Sequence, residues 1–300
     1  MSDNLFLADN LLPADSTSDA MSAEPDWQIA EAGFVIEPAE IAVSPEHQAS
    51  KLRACGINPD VFGTACDPAF FIGIGIQAGI RSGISAEGNI NMVQKLIVYR
   101  PAILGEVLLV RGTIEAVEPV PRGHQVTTNI TFEDTSGAVV MDASRISLCP
   151  DPAKATARGA GVRPPPVVTD PEDAIELASH VLTPPQVKDY SLEGNSIHYE
   201  EEAAKAAGFR APMIGGGMGV HYLTAALFER SIPRTLDMSI FFRRPIFWDE
   251  QFTSACVAED SAGRGEFPEL GHWRALCLLR DEGDKGLKVL TEARLNGLSI

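Results

Sequence analysis

The sequence predicts an α+β protein built twice over, each half carrying one apolar helix followed by a run of antiparallel strands. Three observations carry that reading. Residues 67–81 (DPAFFIGIGIQAGIR) and 218–229 are apolar nearly all round, the pattern of a helix buried against a sheet. Each helix precedes a series of β-rich runs punctuated by Pro and Gly, such as Pro119, Pro121 and Gly137. Landmarks also recur at one spacing: Pro68 and Pro212, Gly73 and Gly217, Gly75 and Gly219, Arg100 and Arg244, and Pro101 and Pro245 all stand 144 residues apart, as an internal duplication requires. Nearer the ends the spacing becomes 149, pairing Arg145 with Arg294.

Taken in order, residues 1–25 are rich in Ser, Asp, Ala and Asn without periodicity, and read as a disordered tail. The first half covers 26–150. Its residues 27–44 are mixed in character, with Pro38 and Pro45 as punctuation, and 46–56 form a short helix capped by Gly56. After a loop at Asn58–Gly63 comes the apolar helix, then strands over 93–99, 106–116, 124–133 and 138–148. Residues 151–173, with Pro164, Pro165 and Pro166, are stiff and aperiodic, an inter-domain linker. The second half, 174–300, has its helix at 218–229 and strands over 237–243, 250–258, 273–280 and 288–296.

Composition narrows the function. With 300 residues and 45% hydrophobic content, the chain can fill two cores. A net charge of −17 opposes a nucleic-acid or anionic-membrane partner. Five widely spaced cysteines with no C-x-x-C pair read as reduced thiols in a cytoplasmic protein, not a disulfide frame or a zinc site. No apolar run approaches the roughly 20 residues of a membrane span, and the N-terminus has no secretory pattern.

Chemistry concentrates between Tyr190 and Gly219 (YSLEGNSIHYEEEAAKAAGFRAPMIGGGMG). A polar loop offers an acid, an amide and an imidazole, Glu193, Asn195 and His198, a set able to move protons. A short Glu- and Ala-rich helix follows, stopped by Gly208. Gly215, Gly216 and Gly217 then bring backbone N–H groups to the start of the second apolar helix, a candidate oxyanion hole. His221, one turn further on, either faces a pocket or packs in the core. Stepping back 144 residues from 193, 195 and 198 lands on Ala49, Lys51 and Ala54, so only the second copy carries the constellation.

This pattern, acid-x-Asn-x-x-His, then a Glu-rich Ala helix, Gly-Phe and Pro-x-x-x-Gly before a helix, resembles the hydratase motif of MaoC-like dehydratases and (R)-specific enoyl-CoA hydratases. Glu193 stands where the family has Asp, Ser196 where Pro is usual, Glu200 and Glu201 where Asp-Pro is usual, and Gly215 where many members have His. The resemblance implies a double hotdog, two antiparallel sheets each wrapped around a central apolar helix and packed so that the two sheets continue one another, with the first copy shaping the acyl pocket. It implies a hydro-lyase that hydrates 2-enoyl-CoA or dehydrates 3-hydroxyacyl-CoA without metal or cofactor, coenzyme A being part of the substrate. Glu193 and His198 would hold the water between them and exchange protons, Asn195 would position that water or orient the acid, and the N–H of Gly216 or Gly217 would meet the thioester oxygen. Arg243 and Arg244, or Lys205 and Arg210, are candidates for the coenzyme phosphates. Two alternatives remain open on the same fold: an acyl-CoA thioesterase, and a catalytically silent acyl-CoA-binding protein. A homodimer is compatible with either.

Overall fold

The computed structural model describes residues 5–7, 27–154, 159, 161–191, 195–259 and 267–300. Strand β1 (Leu5–Leu7) pairs in parallel with β2 (Val35–Ala42), so the tail expectation fails at those three residues; the rest of 1–26 lies outside the described residues. Helix α1 (Pro45–Ala54) follows, its Ser44 side chain accepting from the His47 N–H at 3.1 Å and Pro45 occupying a first-turn position where no N–H is missed. A 3-10 turn at Pro59–Phe62 leads to helix α2 (Phe70–Arg81) and strands β3 (Ile90–Val98), β4 (Leu108–Val120), β5 (Gly123–Glu133) and β6 (Val139–Pro150).

The second half repeats the sequence of elements: β7 (Ile175–Val181), α3 (Pro184–Ser191), a 3-10 turn at Ser196–His198, the inserted α4 (Glu201–Ala206), then α5 (Gly216–Phe228), β8 (Thr235–Phe242), β9 (Gln251–Ala258), β10 (Trp273–Asp281) and β11 (Leu287–Ser299). Besides β1, the strands missing from the sequence reading are β2 and β7. Both carry register shifts, between Ile36 and Ala39 and between Glu176 and Ala178, and β2 contains Pro38, so neither shows clean alternation.

All eleven strands join in one sheet, in the order β1-β2-β4-β5-β6-β3-β8-β11-β10-β9-β7. The sheets of the two halves thus continue one another through β3 and β8. Each half alone would leave an edge of unpaired backbone at β3 or β8, and the two edges instead satisfy one another. There Lys95 faces Ser239, Leu96 faces Met238 and Gln94 faces Ile240, the pattern of a local two-fold whose equivalent residues are 144 apart. The ladders also correct the later register. Gln94 pairs with Arg145 and the equivalent Met238 pairs with Leu295, so Arg145 corresponds to Leu295, one residue beyond Arg294.

Helix α2 packs against β2, β4 and β6, α5 against β9 and β10, and the helices touch each other. Every residue of α5 from Met218 to Phe228 is buried. Strand β10 is buried on both faces because the segment read as a linker covers its outer side: Val167 and Val168 pack with Phe241, Val257, Ala275, Cys277 and Leu279. The Glu292 carboxylate accepts the Val167 and Val168 N–H at 3.0 and 2.7 Å and Arg243 Nε at 2.6 Å, so this buried charge is fully engaged. No helix among the described residues is long and apolar enough to cross a membrane.

Candidate functional site

One cavity of about 490 Å³ opens between the halves. Its walls come from α2 (Phe70, Gly73, Gln77), from β6 (Arg145, Ser147) and from the start of α5 with the loop before it (Asn195, His198, Gly215, Gly216, Gly217).

His198 ends the 3-10 turn, whose backbone closes through the His198 N–H to the Asn195 carbonyl at 3.2 Å. Its Nδ1 lies 2.8 Å from the Met213 carbonyl oxygen. A carbonyl only accepts, so Nδ1 carries the proton in that contact and Nε2 is the basic nitrogen. Nε2 sits against Gly215: a Cβ added there would stand 3.5 Å away. Asn195 is buried at 8% exposure, its Nδ2 a long 3.5 Å from the Asn89 carbonyl and its Oδ1 without a hydrogen-bond partner among the described residues. Glu193 lies outside the described residues.

Residues Gly215 to Gly217 place the start of α5 at the cavity wall. The first helical bond at this end runs from the Gly219 N–H to the Gly215 carbonyl, so the N–H groups of Gly216, Gly217 and Met218 precede the intrahelical ladder. Gly216 is obligatory for space: a Cβ would lie 2.9 Å from the Phe242 ring. At Gly217 the neighbour is the Tyr190 hydroxyl, 3.6 Å from an added Cβ. The short α4 before this segment is closed by Gly208 at φ +85°, with the Phe209 N–H on the Ala204 carbonyl at 2.9 Å.

Behind the glycines lies a chain the sequence reading left open. His221 Nδ1 is 2.6 Å from Asp67 Oδ2, and Nε2 is 2.7 Å from Tyr190 Oη. With Asp67 ionised, Nδ1 donates to the carboxylate and Nε2 accepts from the Tyr190 hydroxyl. His221 is therefore a buried bridge between the halves, and Tyr190, which lines the cavity, is held by it. No spacing in the sequence joins Asp67 to His221; only the packing of α2 on α5 does.

The cationic candidates separate. Arg243 touches the cavity, but its guanidinium is occupied by Glu292 and by the Pro164 and Pro165 carbonyls at 3.0 and 2.9 Å. Arg244 lines the cavity with an exposed side chain whose NH1 reaches the Val289 carbonyl. Arg210 is paired with Asp249 and Glu250, and Lys205 with Glu201; neither lines the cavity. Among the described residues no cluster of His, Cys, Asp and Glu could hold a metal ion.

The duplication is less regular here than the sequence spacing indicated. In element order the counterpart of the 3-10 turn Ser196–His198 is Pro59–Phe62, not the 49–54 stretch within α1. That turn (PDVF) has no imidazole, so the constellation still occurs in one copy.

No family model matches the chain, and no curated protein matches it. Solved structures do. HtdX of Mycobacterium tuberculosis superposes with a TM-score of 0.65 at 20% identity, over 88% of this chain and 99% of that one. A MaoC-like dehydratase of Phytophthora capsici gives 0.62 at 16% identity, over 88% and 95%. A conserved hypothetical protein of M. tuberculosis described as a double hotdog gives 0.58 at 13%, over 88% and 95%. A Lactobacillus plantarum structure provisionally described as an oleoyl thioesterase gives 0.54 at 8%, over 88% and 94%. The fold is thus the double hotdog, shared with MaoC-like dehydratases.

Proposed function

We propose that the chain catalyses the reversible hydration of a 2-enoyl-CoA thioester. The observation that carries this reading is the meeting, at one cavity wall, of the His198 imidazole with the glycine-built start of α5. A conjugated thioester needs both: a base at the β-carbon side and N–H donors at the thioester oxygen.

In the hydration direction, His198 Nε2 takes a proton from water as the water oxygen bonds to C3. The C2–C3 π electrons move toward the carbonyl, and the charge that gathers on the thioester oxygen meets the N–H of Gly216 or Gly217 in the field of the α5 N-terminus. Protonation at C2 completes the addition; Glu193 is assigned that proton from the motif alone. Asn195, whose buried Oδ1 has no hydrogen-bond partner among the described residues, holds the water in this reading. The Met213 carbonyl fixes the imidazole so that Nε2, and not Nδ1, faces the chemistry. No step calls for a cofactor beyond the coenzyme A of the substrate.

The test mixes purified protein with crotonyl-CoA and follows the absorbance of the conjugated enoyl thioester alongside release of free thiol. Loss of absorbance without thiol supports hydration. Thiol release would make the protein a thioesterase, and binding without either signal would make it a silent acyl-CoA-binding protein.

A further inference from the structure

Arg145 is a charge without a counter-charge. It makes no hydrogen bond or ion pair among the described residues, its Nε is sealed from solvent with no partner, and it lines the cavity. Burial pushes its pKa down to about 10. A half-buried guanidinium whose Nε is sealed from water and has no carboxylate beside it is costly to hold, and an arriving anion would offset that cost.

Its surroundings form a polar patch on the sheet wall of the cavity. On the inward face of β3 and β6 the rows Leu96–Ala143 and Val98–Met141 are buried aliphatic, but the next row is Gln94–Arg145, and Asn91 pairs with Ser147 beyond it. Asn91 Oδ1 is a second buried atom without a partner among the described residues. The equivalent row in the other half is Met238–Leu295, so the apolar choice was open to this fold and only the copy without the imidazole departs from it. Of the other arginines that line the cavity, Arg163 and Arg244 are exposed, where they suit the phosphates of a coenzyme, Arg122 is half-buried on the turn between β4 and β5, and Arg243 is occupied.

From this geometry we infer that the acyl group of the substrate carries a carboxylate, which Arg145 receives as a two-pronged partner at the cavity wall. The inference rests on the acyl-CoA reading of the site and names the substrate class: a dicarboxylic acyl thioester with one end esterified to the coenzyme. A planar guanidinium matches a carboxylate with two parallel N–H donors, and desolvation strengthens both.

Calorimetric binding of saturated thioesters, which hydration cannot consume, separates this from the catalytic reading. Succinyl-, glutaryl- and adipyl-CoA are compared with butyryl-, valeryl- and hexanoyl-CoA on the wild type, Arg145→Met and Arg145→Lys. In one length-matched pair the dicarboxylic ligand is expected to bind the wild type about 10- to 100-fold more tightly, as a charged hydrogen-bonded contact allows. Arg145→Met abolishes that preference and leaves the uncharged ligands bound as before or better, while Arg145→Lys retains part of it. The absence of a preference at every length in the wild type overturns the inference without any variant. So does an equal weakening of both ligand sets by Arg145→Met, which would assign the residue to a coenzyme phosphate. A dicarboxylic preference in a protein that never hydrates crotonyl-CoA or any dicarboxylic enoyl-CoA would retire the catalytic reading and keep this one.

Discussion

The ring of Phe242 lies so close to Gly216 that a single added methyl would sit 2.9 Å from its Cζ. The last residue of β8 thereby dictates that α5 begins with glycine, and through that the position of the backbone N–H groups at the cavity wall.

Gly216→Ala should therefore force either the ring or the helix start to move. The expected cost is about 1–3 kcal/mol of stability, the range of overpacking, with a fall in hydration rate that exceeds the change in substrate affinity. Phe242→Leu added to Gly216→Ala should recover much of the stability. Urea unfolding of the single and double variants, with kcat and KM measured separately, checks both parts.

Glu292 is the anchor of the segment after β6. Three donors converge on its carboxylate, from Val167, Val168 and Arg243, in a site 1% exposed. Its replacement by Ala leaves Arg243 facing two carbonyls without an anion, and should cost on the order of 3–5 kcal/mol. Limited proteolysis should then cut near Pro164–Pro166 faster than in the wild type. Unchanged cleavage would separate the anchor from the segment it holds.

Much of the architecture could be read in advance because the signals were local. The all-round apolarity of 70–81 and 218–228, and the strand runs bounded by Pro and Gly, gave elements within a few residues of α2, α5 and most strands. Repetition of Pro and Gly at one spacing held wherever loops did not change, and the Lys95–Ser239 pairing reproduces it in the sheet. It failed between β7 and α5, where α4 is inserted, and at β6 against β11, where one residue shifts the register. What stayed illegible was what packing makes between residues remote in sequence: the His221 contact with Asp67, and the sealed Nε of Arg145. A linker rich in proline likewise looked like a spacer because its partners, Glu292 and the outer face of β10, are remote in sequence.

His180 supplies a stability signature that depends on pH. Its ring lies between Tyr222 and Phe252 with Nε2 3.0 Å from Ser254 Oγ, and burial pushes its pKa from 6.5 down to about 4. Since the folded state resists the proton that the unfolded chain accepts, the contribution is complete above pH 6.5 and is lost as pH falls toward 4. The loss from this residue should reach up to about 3 kcal/mol. His180→Gln, which cannot charge, should flatten that part of the curve of unfolding free energy against pH; an unaltered slope would remove His180 as its source.

The central claim is that His198 Nε2 and the N–H groups at the start of α5 act on one thioester. The most direct measurement is the rate of crotonyl-CoA hydration by the wild type and by His198→Ala, with coenzyme-thioester binding and circular dichroism recorded on both. The account predicts turnover by the wild type, a fall of about 10²- to 10⁴-fold or more in the variant, and binding and fold retained. A His198→Ala protein that hydrates crotonyl-CoA as fast as the wild type would contradict it.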